Sequence, residues 1–458
     1  MPRTFSQLGA QVKFTACSKY ALILTSRTYL NAIETTPDLP ITKQKRYTGR
    51  QMKPEHFIGL DIGTSSVRCV VGMFDPNGSS MPSIIGHGQA PNQGMRRGAV
   101  VHVDDVAEAI VRAVTEAERI SGTSIKRATV NVNGAHVSGL NSEGVIAISA
   151  ANREITLEDR LRVEEAATIV NLPPNREIVQ FFAKNYSLDG QRNIKDPIGM
   201  TGVRLEVDAH IVTAASPNLR NLDMALEKAE VYAEHHTVSG LAAAEAVLTR
   251  QQKEAGTALI DIGAGTTNLI VFEDGEVQHI AVLPIGGQHI TNDLAIGLKT
   301  DLDVAEAVKL QHADLHREPK KMNAMIKVGD KAYNFQFEEL SLIIEARVEE
   351  LLEYVDKELY KIKRSRKLPG GIVITGGTAN IPGLDEFARD KLELPARIGK
   401  LQNIGGLVDT VEDQSFTTVV GLMLLDMLLL PALPAQFGKS TSQNAKQVLS
   451  GLFSRLKG

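Results

Sequence analysis

One short pattern occurs twice in this chain, and it limits the possible folds more than any other feature. Residues 57–74 read FIGLDIGTSSVRCVVGMF and residues 258–272 read ALIDIGAGTTNLIVF. Each copy runs from an apolar strand through Asp-Ile-Gly and a few small or hydroxyl residues into a second apolar strand. The tripeptides Asp61–Gly63 and Asp261–Gly263 stand 200 residues apart. Solenoid units recur every roughly 20–50 residues, so this spacing predicts two similar domains facing each other. The turn chemistry is also legible. Glycine allows a tight turn and lets backbone N–H groups approach phosphate oxygens. Thr64, Ser65, Thr266 and Thr267 add hydroxyl donors. Asp61 and Asp261 end strands that read as buried, where a carboxylate can hold the water shell of Mg²⁺. Two such hairpins would clamp one polyphosphate from both sides. A single copy would be explained as well by an ordinary glycine-rich turn; the duplication favours a ligand.

A third glycine turn lies in GIVITGGTANIP, residues 371–382. The strand Ile372–Thr375 runs into Gly376-Gly377-Thr378, where absent side chains would let a flat purine lie against the backbone. Pro382 suits the first turn of a following helix. Composition narrows the rest. A net charge of −4 gives no basic footprint for nucleic acid. Two cysteines, Cys17 and Cys69, cannot build a disulfide framework or a cysteine-rich zinc site. The most apolar run, Val419–Leu430, has twelve residues and contains Asp426, against the roughly 20 a membrane span needs. It reads as a buried helix stopped by Pro431.

The order DIGT, DIGAGTTN, GGTANIPG resembles the actin, heat-shock chaperone and sugar kinase superfamily, in which these are the first phosphate, second phosphate and adenosine motifs. The resemblance implies an α/β, actin-like (ribonuclease H-like) two-domain fold around a nucleotide cleft. It assigns Asp61, Gly63, Thr64 and Ser65, then Asp261, Gly263, Gly265, Thr266, Thr267 and Asn268, then Gly376, Gly377 and Thr378 to ATP, with Asp61 and Asp261 on Mg²⁺ through water. Glu306 and Lys309, in DVAEAVKL, resemble a helix whose Glu and Lys contact ribose and adenine. An i,i+3 ion pair on a solvated helix explains them equally well.

Longer stretches resemble the FtsA family of bacterial cell-division proteins: NVNGAHVSGLNSEGVIAIS (131–149), NYSLDGQRNIKDPIGMTGVRLEVDAHIVTA (185–214), LPIGGQHITNDLAIGL (283–298) and IVITGGTANIPGLDEFA (372–388). The expected organisation is an extension over 1–55 and a first core domain over 56–133 and 202–255. An FtsA-type subdomain is inserted at 134–201. The second core spans 256–284 and 347–384, with a smaller subdomain at 285–346, and 385–430 returns to the first core. Within the insertion, strands are expected at Val145–Ser149 and Ile178–Phe182. Between them a helix over Thr156–Ile169 would present Leu157, Leu161, Val163, Ala166 and Ile169 as its apolar positions before Pro173-Pro174. A helix at 104–120 would bury Val106, Ile110, Val114 and Ala117, and Leu340–Tyr360 reads as another long helix.

The resemblance implies a tether between FtsZ filaments and the cytoplasmic face of the membrane at the division site, self-assembly into polymers, and recruitment of later divisome membrane proteins. It places Arg347 and Glu350, in an I-x-x-R-x-x-E pattern, on the FtsZ C-terminal tail; a solvated ion pair is the alternative. In cell-shape relatives a glutamate lies 22 residues before the second phosphate aspartate, and here that position is Ser239. Serine is a poor general base at pH 7, and Glu245 lies six residues on, so slow or absent ATP hydrolysis is expected. A pilus-assembly relative of the PilM type and a small-molecule kinase of the same superfamily are the competing readings. The kinase reading lacks an acidic base and a substrate domain.

The two ends differ from the middle. Residues 1–51 carry eight Lys/Arg and two acidic residues. They read as a targeting segment or as a start assigned too early, with Met52 as the expected physiological start. Residues 431–445 read as a flexible linker. In KQVLSGLFSRLKG, residues 446–458, Val448, Leu449, Leu452, Phe453 and Leu456 recur at helical spacing, with Arg455 and Lys457 beside them. A basic amphipathic helix on a tether is an interfacial anchor for an anionic membrane surface; docking on its own globular domain is the alternative.

Overall fold

The computed structural model describes residues 55–74, 81–316, 323–402 and 404–429, and the backbone of 22–24. The sequence duplication reappears as a duplication of topology. In the first core sheet, Ser83–Pro91, Ser66–Phe74 and Glu55–Ile62 pair antiparallel, then Arg127–Val132 and Tyr232–Val238 continue in parallel. In the second, Glu276–Leu283, Thr267–Glu273 and Thr257–Ile262 pair antiparallel, then Gly371–Thr375 and Ala396–Ile398 continue in parallel. The two five-strand orders match strand for strand; the first sheet adds Gly405–Gly406 at its edge. The central strands are buried along almost their whole length, as expected where both faces are covered.

Helices cover these sheets as their patterns require. Val103–Ser121 carries Asp104 and Asp105 in its first turn and ends at Gly122, φ +67, whose N–H returns to the Glu118 carbonyl at 2.8 Å. Its expected face is buried: Val106, Ile110, Val114 and Ala117. Thr417–Leu429 is buried against both the Ser239–Val247 helix and the Glu55–Ile62 strand. The approach is so close that a Cβ at Gly421 would overlap the Ala242 carbonyl. Asp426, the one charge in this run, accepts from the Ile58 N–H at 3.0 Å and the Thr129 hydroxyl at 2.8 Å. Among the described residues no helix is long and apolar enough to cross a membrane.

Between Val132 and Ser216 the chain builds a separate sheet, with Arg204–Ala215 between Ser138–Ala147 and Arg176–Leu188. Its strands are longer than the sequence predicted. The helix Leu157–Thr168 lies on it, opened by a reciprocal Thr156–Asp159 capping box. The expected apolar face needs correction. Leu157, Leu161 and Ile169 are 57%, 47% and 80% exposed, and only Val163 of the expected set is fully buried. The helix turns charge inward instead: Arg160 Nε meets Glu164 Oε1 at 3.0 Å, and the Tyr186 hydroxyl donates to the same carboxylate. Both bonds fall on Oε1, Arg160 also approaches Asp196 at 3.8 Å, and this charged cluster shares the inner face with the buried Val163 and Ala167.

Residues Leu22–Leu24 form a short strand parallel to Gln180–Phe182 at the edge of this sheet. The proposed start at Met52, the 431–445 linker and the terminal helix bearing Val448, Leu449, Leu452, Phe453, Arg455, Leu456 and Lys457 lie outside the described residues. The smaller unit of the second half packs Gly287–Gly297, Leu302–His312 and the Asn323–Gln336 hairpin around the first half of Phe337–Lys361. This last helix is continuous through residue 347.

Candidate functional site: a cleft between two glycine hairpins

The two Asp-Ile-Gly turns are built alike. The Gly63 N–H donates to the Ser66 carbonyl at 3.0 Å, and the Gly263 N–H donates to the Thr266 carbonyl at 2.9 Å. Across each ladder the aspartate faces a polar partner: Asp61 pairs in register with Arg68, and Asp261 with Asn268. Both carboxyls are buried. Burial pushes Asp61 up to about 7; the Arg68 charge opposes this and the charge of Asp261 adds to it. Burial likewise raises Asp261 to about 6, against hydrogen bonds from Asn268 Nδ2 at 3.0 Å and Thr418 Oγ1 at 3.3 Å. The two hairpins therefore hold two carboxyls in one low-dielectric field, each resisting ionisation. Such a pair suits a divalent cation with its water shell. Among the described residues no third His, Cys, Asp or Glu joins them, so water would supply the remaining ligands.

The other hydroxyls divide. Thr64 accepts from the Gly98 N–H at 3.0 Å, and Thr266 accepts from Asn133 Nδ2 at 3.1 Å across the cleft. Ser65 is exposed, and its carbonyl accepts from the Asn92 N–H at 3.0 Å. Thr267 does not face the turn: it is fully buried, and its hydroxyl donates to the Ile285 carbonyl at 2.8 Å. Asn268 orients Asp261 and is buried behind it. Gly265 lies against the first hairpin, so close that a Cβ there would sit 2.9 Å from Thr64 Oγ1.

The third turn closes on the second hairpin. Gly376, φ +87, lies over Asp261 and Ile262 with no room for a side chain, whereas a Cβ at Gly377 would meet only Ser415, at 3.5 Å. Thr378 Oγ1 donates to the Gly263 carbonyl at 3.3 Å, and the Gly287 N–H donates to the same carbonyl at 2.9 Å. Pro382 falls just before the next helix rather than in its first turn: Gly383, φ +78, caps Leu384–Leu392, and Gly377–Asn380 is a short 3-10 turn. Lys309 Nζ meets Glu306 Oε2 at 2.7 Å, Thr291 Oγ1 at 2.8 Å and the Gly287 carbonyl at 3.2 Å. The Glu306–Lys309 ion pair is thus real, and it stands beside Gly287, the start of the helix that shares the Gly263 carbonyl with the third turn.

Arg347 lies elsewhere. It forks onto Asp293, with Nη2–Oδ1 at 2.9 Å, and pairs with Glu350. Ser239 is buried and accepts from Asn131 Nδ2 at 3.2 Å. Glu245 pairs with Lys253 at 2.7 Å. Sequence reasoning passed over Asn92, Asn131, Asn133, Gly287 and Thr291. Asn131 and Asn133 flank the carboxyl end of a parallel strand beside the first hairpin, where ligands collect in α/β sheets, and that was the available signal.

A family model described as "Cell division protein FtsA" matches residues 258–421, and one described as "SHS2 domain inserted in FTSA" matches residues 134–213. The cell division protein FtsA of Neisseria meningitidis is 36% identical over 403 residues, covering 87% of this chain and 96% of that protein. That of Bacillus subtilis is 37% identical, covering 81% and 83%. A solved structure, the PilM-PilN type IV pilus biogenesis complex, superposes with a TM-score of 0.58 at 17% identity over 81% of this chain and 98% of that one. At that identity it shows the shared actin-like fold alone.

Proposed function

The chain belongs to the FtsA family of bacterial cell-division proteins, and on that premise we propose that it binds ATP with Mg²⁺ in the cleft and links FtsZ filaments to the cytoplasmic face of the membrane at the division site. One observation carries the nucleotide half of this reading: two topologically equivalent hairpins bring two buried, ionisation-resistant carboxyls into one field. Asp61 and Asp261 would hold the water shell of Mg²⁺, which supplies charge neutralisation between the phosphates and the protein. The Gly63 and Gly263 N–H groups close their own turns, so the donors offered to phosphate come from the tips, with the Thr64 and Thr266 hydroxyls beside them. Gly377 leaves space for a purine face, and Lys309 and Glu306 stand at its edge. Ser239 replaces a carboxylate in the helix next to the cleft, and Glu245 is held by Lys253. Nucleotide therefore acts by occupancy, with hydrolysis slow or absent.

The membrane half rests on the sequence of residues 446–458 and their tether. The FtsZ tail is assigned to the smaller unit of the second half, near Arg347 and Glu350. Polymers of this chain and later divisome proteins complete the assembly. The test is co-sedimentation of the purified full chain with anionic liposomes and FtsZ, with and without ATP. The reading predicts that FtsZ pellets with liposomes only when this protein is present. FtsZ left in the supernatant would refute it.

A further inference from the structure

The segment Asn92–Val101 is a third element on the two hairpins. Asn92 Nδ2 donates to the Gly63 carbonyl at 2.8 Å, its N–H donates to Ser65, and its Oδ1 accepts from Gly94. Met95–Arg96 then pairs with Ala99–Val100 through a two-residue turn, Arg97-Gly98, with φ of +49 and +75. Two positive φ values mark the turn type that suits right-twisted hairpins, and Asn, Asp or Gly ordinarily fill its first position. An arginine there is held in a left-handed conformation that long side chains rarely adopt. The turn bridges both sides of the cleft. Gly98 donates to Thr64 on the first hairpin, and a Cβ at Gly265 on the second would sit 3.2 Å from the Arg97 Cα.

The Arg97 side chain is exposed. Among the described residues it makes no hydrogen bond or ion pair, whereas Lys309 is engaged by Glu306 and Arg347 by Asp293 and Glu350. Its charge is felt across the cleft. The His289 imidazole, in the first turn of the helix that begins at Gly287, is held below its ordinary value first by burial and then by Arg347 and Arg97. A polyphosphate between the hairpins would meet two buried carboxyls there and this unengaged guanidinium at the tips.

We propose that Arg97 binds the outermost phosphate of a nucleoside triphosphate held between the hairpins, and so makes the cleft distinguish tri- from diphosphate. The inference rests on the nucleotide reading above. A guanidinium suits this task because its planar fork donates two parallel hydrogen bonds to phosphate oxygens. A diphosphate, one phosphate shorter, leaves that fork in water.

The experiment is equilibrium titration of the full chain with ATP and with ADP in Mg²⁺, for wild type, Arg97→Gln, Arg97→Lys and, as a neighbouring control, the exposed Arg96→Gln. Loss of one charge-assisted contact should weaken ATP binding roughly ten- to a hundred-fold in Arg97→Gln and change ADP less than about three-fold. Arg97→Lys should recover part of the loss, and Arg96→Gln should match wild type. Retained ADP binding also shows that the variant is folded. Equal losses for ATP and ADP, or no loss for either, would overturn the role of Arg97 while leaving the cleft intact. A wild type that binds neither nucleotide would overturn both.

Discussion

Asp61→Asn should stabilise the nucleotide-free protein and weaken its response to Mg-ATP. The wild-type carboxyl titrates at about 7 in the fold against the usual 3.8. The sign follows from linkage. Stability contributed by the protonated carboxyl is fully present below 3.8 and is lost as pH rises through about 7, because the unfolded chain releases its proton first. The full rise corresponds to roughly 4 kcal/mol, at 1.36 kcal/mol per pH unit, and coupling to Asp261 makes this an upper figure. Buried histidines act oppositely: burial pushes His136 down to about 4 and His210 to about 3, so they lose stability as pH falls. They are common to both proteins and cancel in the difference. The assay is thermal unfolding of wild type and Asp61→Asn from pH 5 to pH 8 without nucleotide. The variant's advantage should grow to a plateau near pH 8, on the order of 10 °C for a domain of this size. Mg-ATP should then raise the wild-type midpoint more than the variant's, reversing the order. A pH-independent difference, or a variant less stable than wild type at pH 8, would refute the electrostatic account.

Gly377→Val should abolish the ATP-induced rise in melting temperature while leaving the nucleotide-free fold intact, because a Cβ there meets only Ser415; Gly376→Val should instead lower the melting temperature itself, since φ is +87 and Asp261 fills the space. Glu164→Leu should destabilise the inserted unit by about 3–5 kcal/mol in urea unfolding, since it leaves Arg160 buried without its closest partner. Leu452→Glu with Phe453→Glu should release the protein from anionic vesicles in co-sedimentation while ATP affinity is unchanged; pelleting like wild type would favour a helix docked on its own domain.

The sequence showed what local chemistry repeats. Two Asp-Ile-Gly hairpins were legible because a tight turn between buried strands leaves few residue choices, and their duplication carried over to whole sheets. The Val103–Ser121 helix was legible for a similar reason: its apolar positions are also its buried ones. The Leu157–Thr168 helix was not. Its leucines mark an exposed face, and its charged inner face depends on Tyr186, from a strand 22 residues on, which donates to Glu164. Thr267 looked like a phosphate donor because it sits in the turn motif. Strand alternation sends its hydroxyl inward to Ile285. Arg97 was invisible because its role depends on touching two hairpins that are distant in sequence.

The cleft itself is tested most directly by photolabelling the full chain with 8-azido-ATP and mapping the modified peptides by mass spectrometry. The account predicts ATP-competable label within Leu302–His312 or Gly371–Asn380, the two segments to which the proposal assigns the purine. Label confined to other peptides, or label that unmodified ATP does not displace, would contradict it.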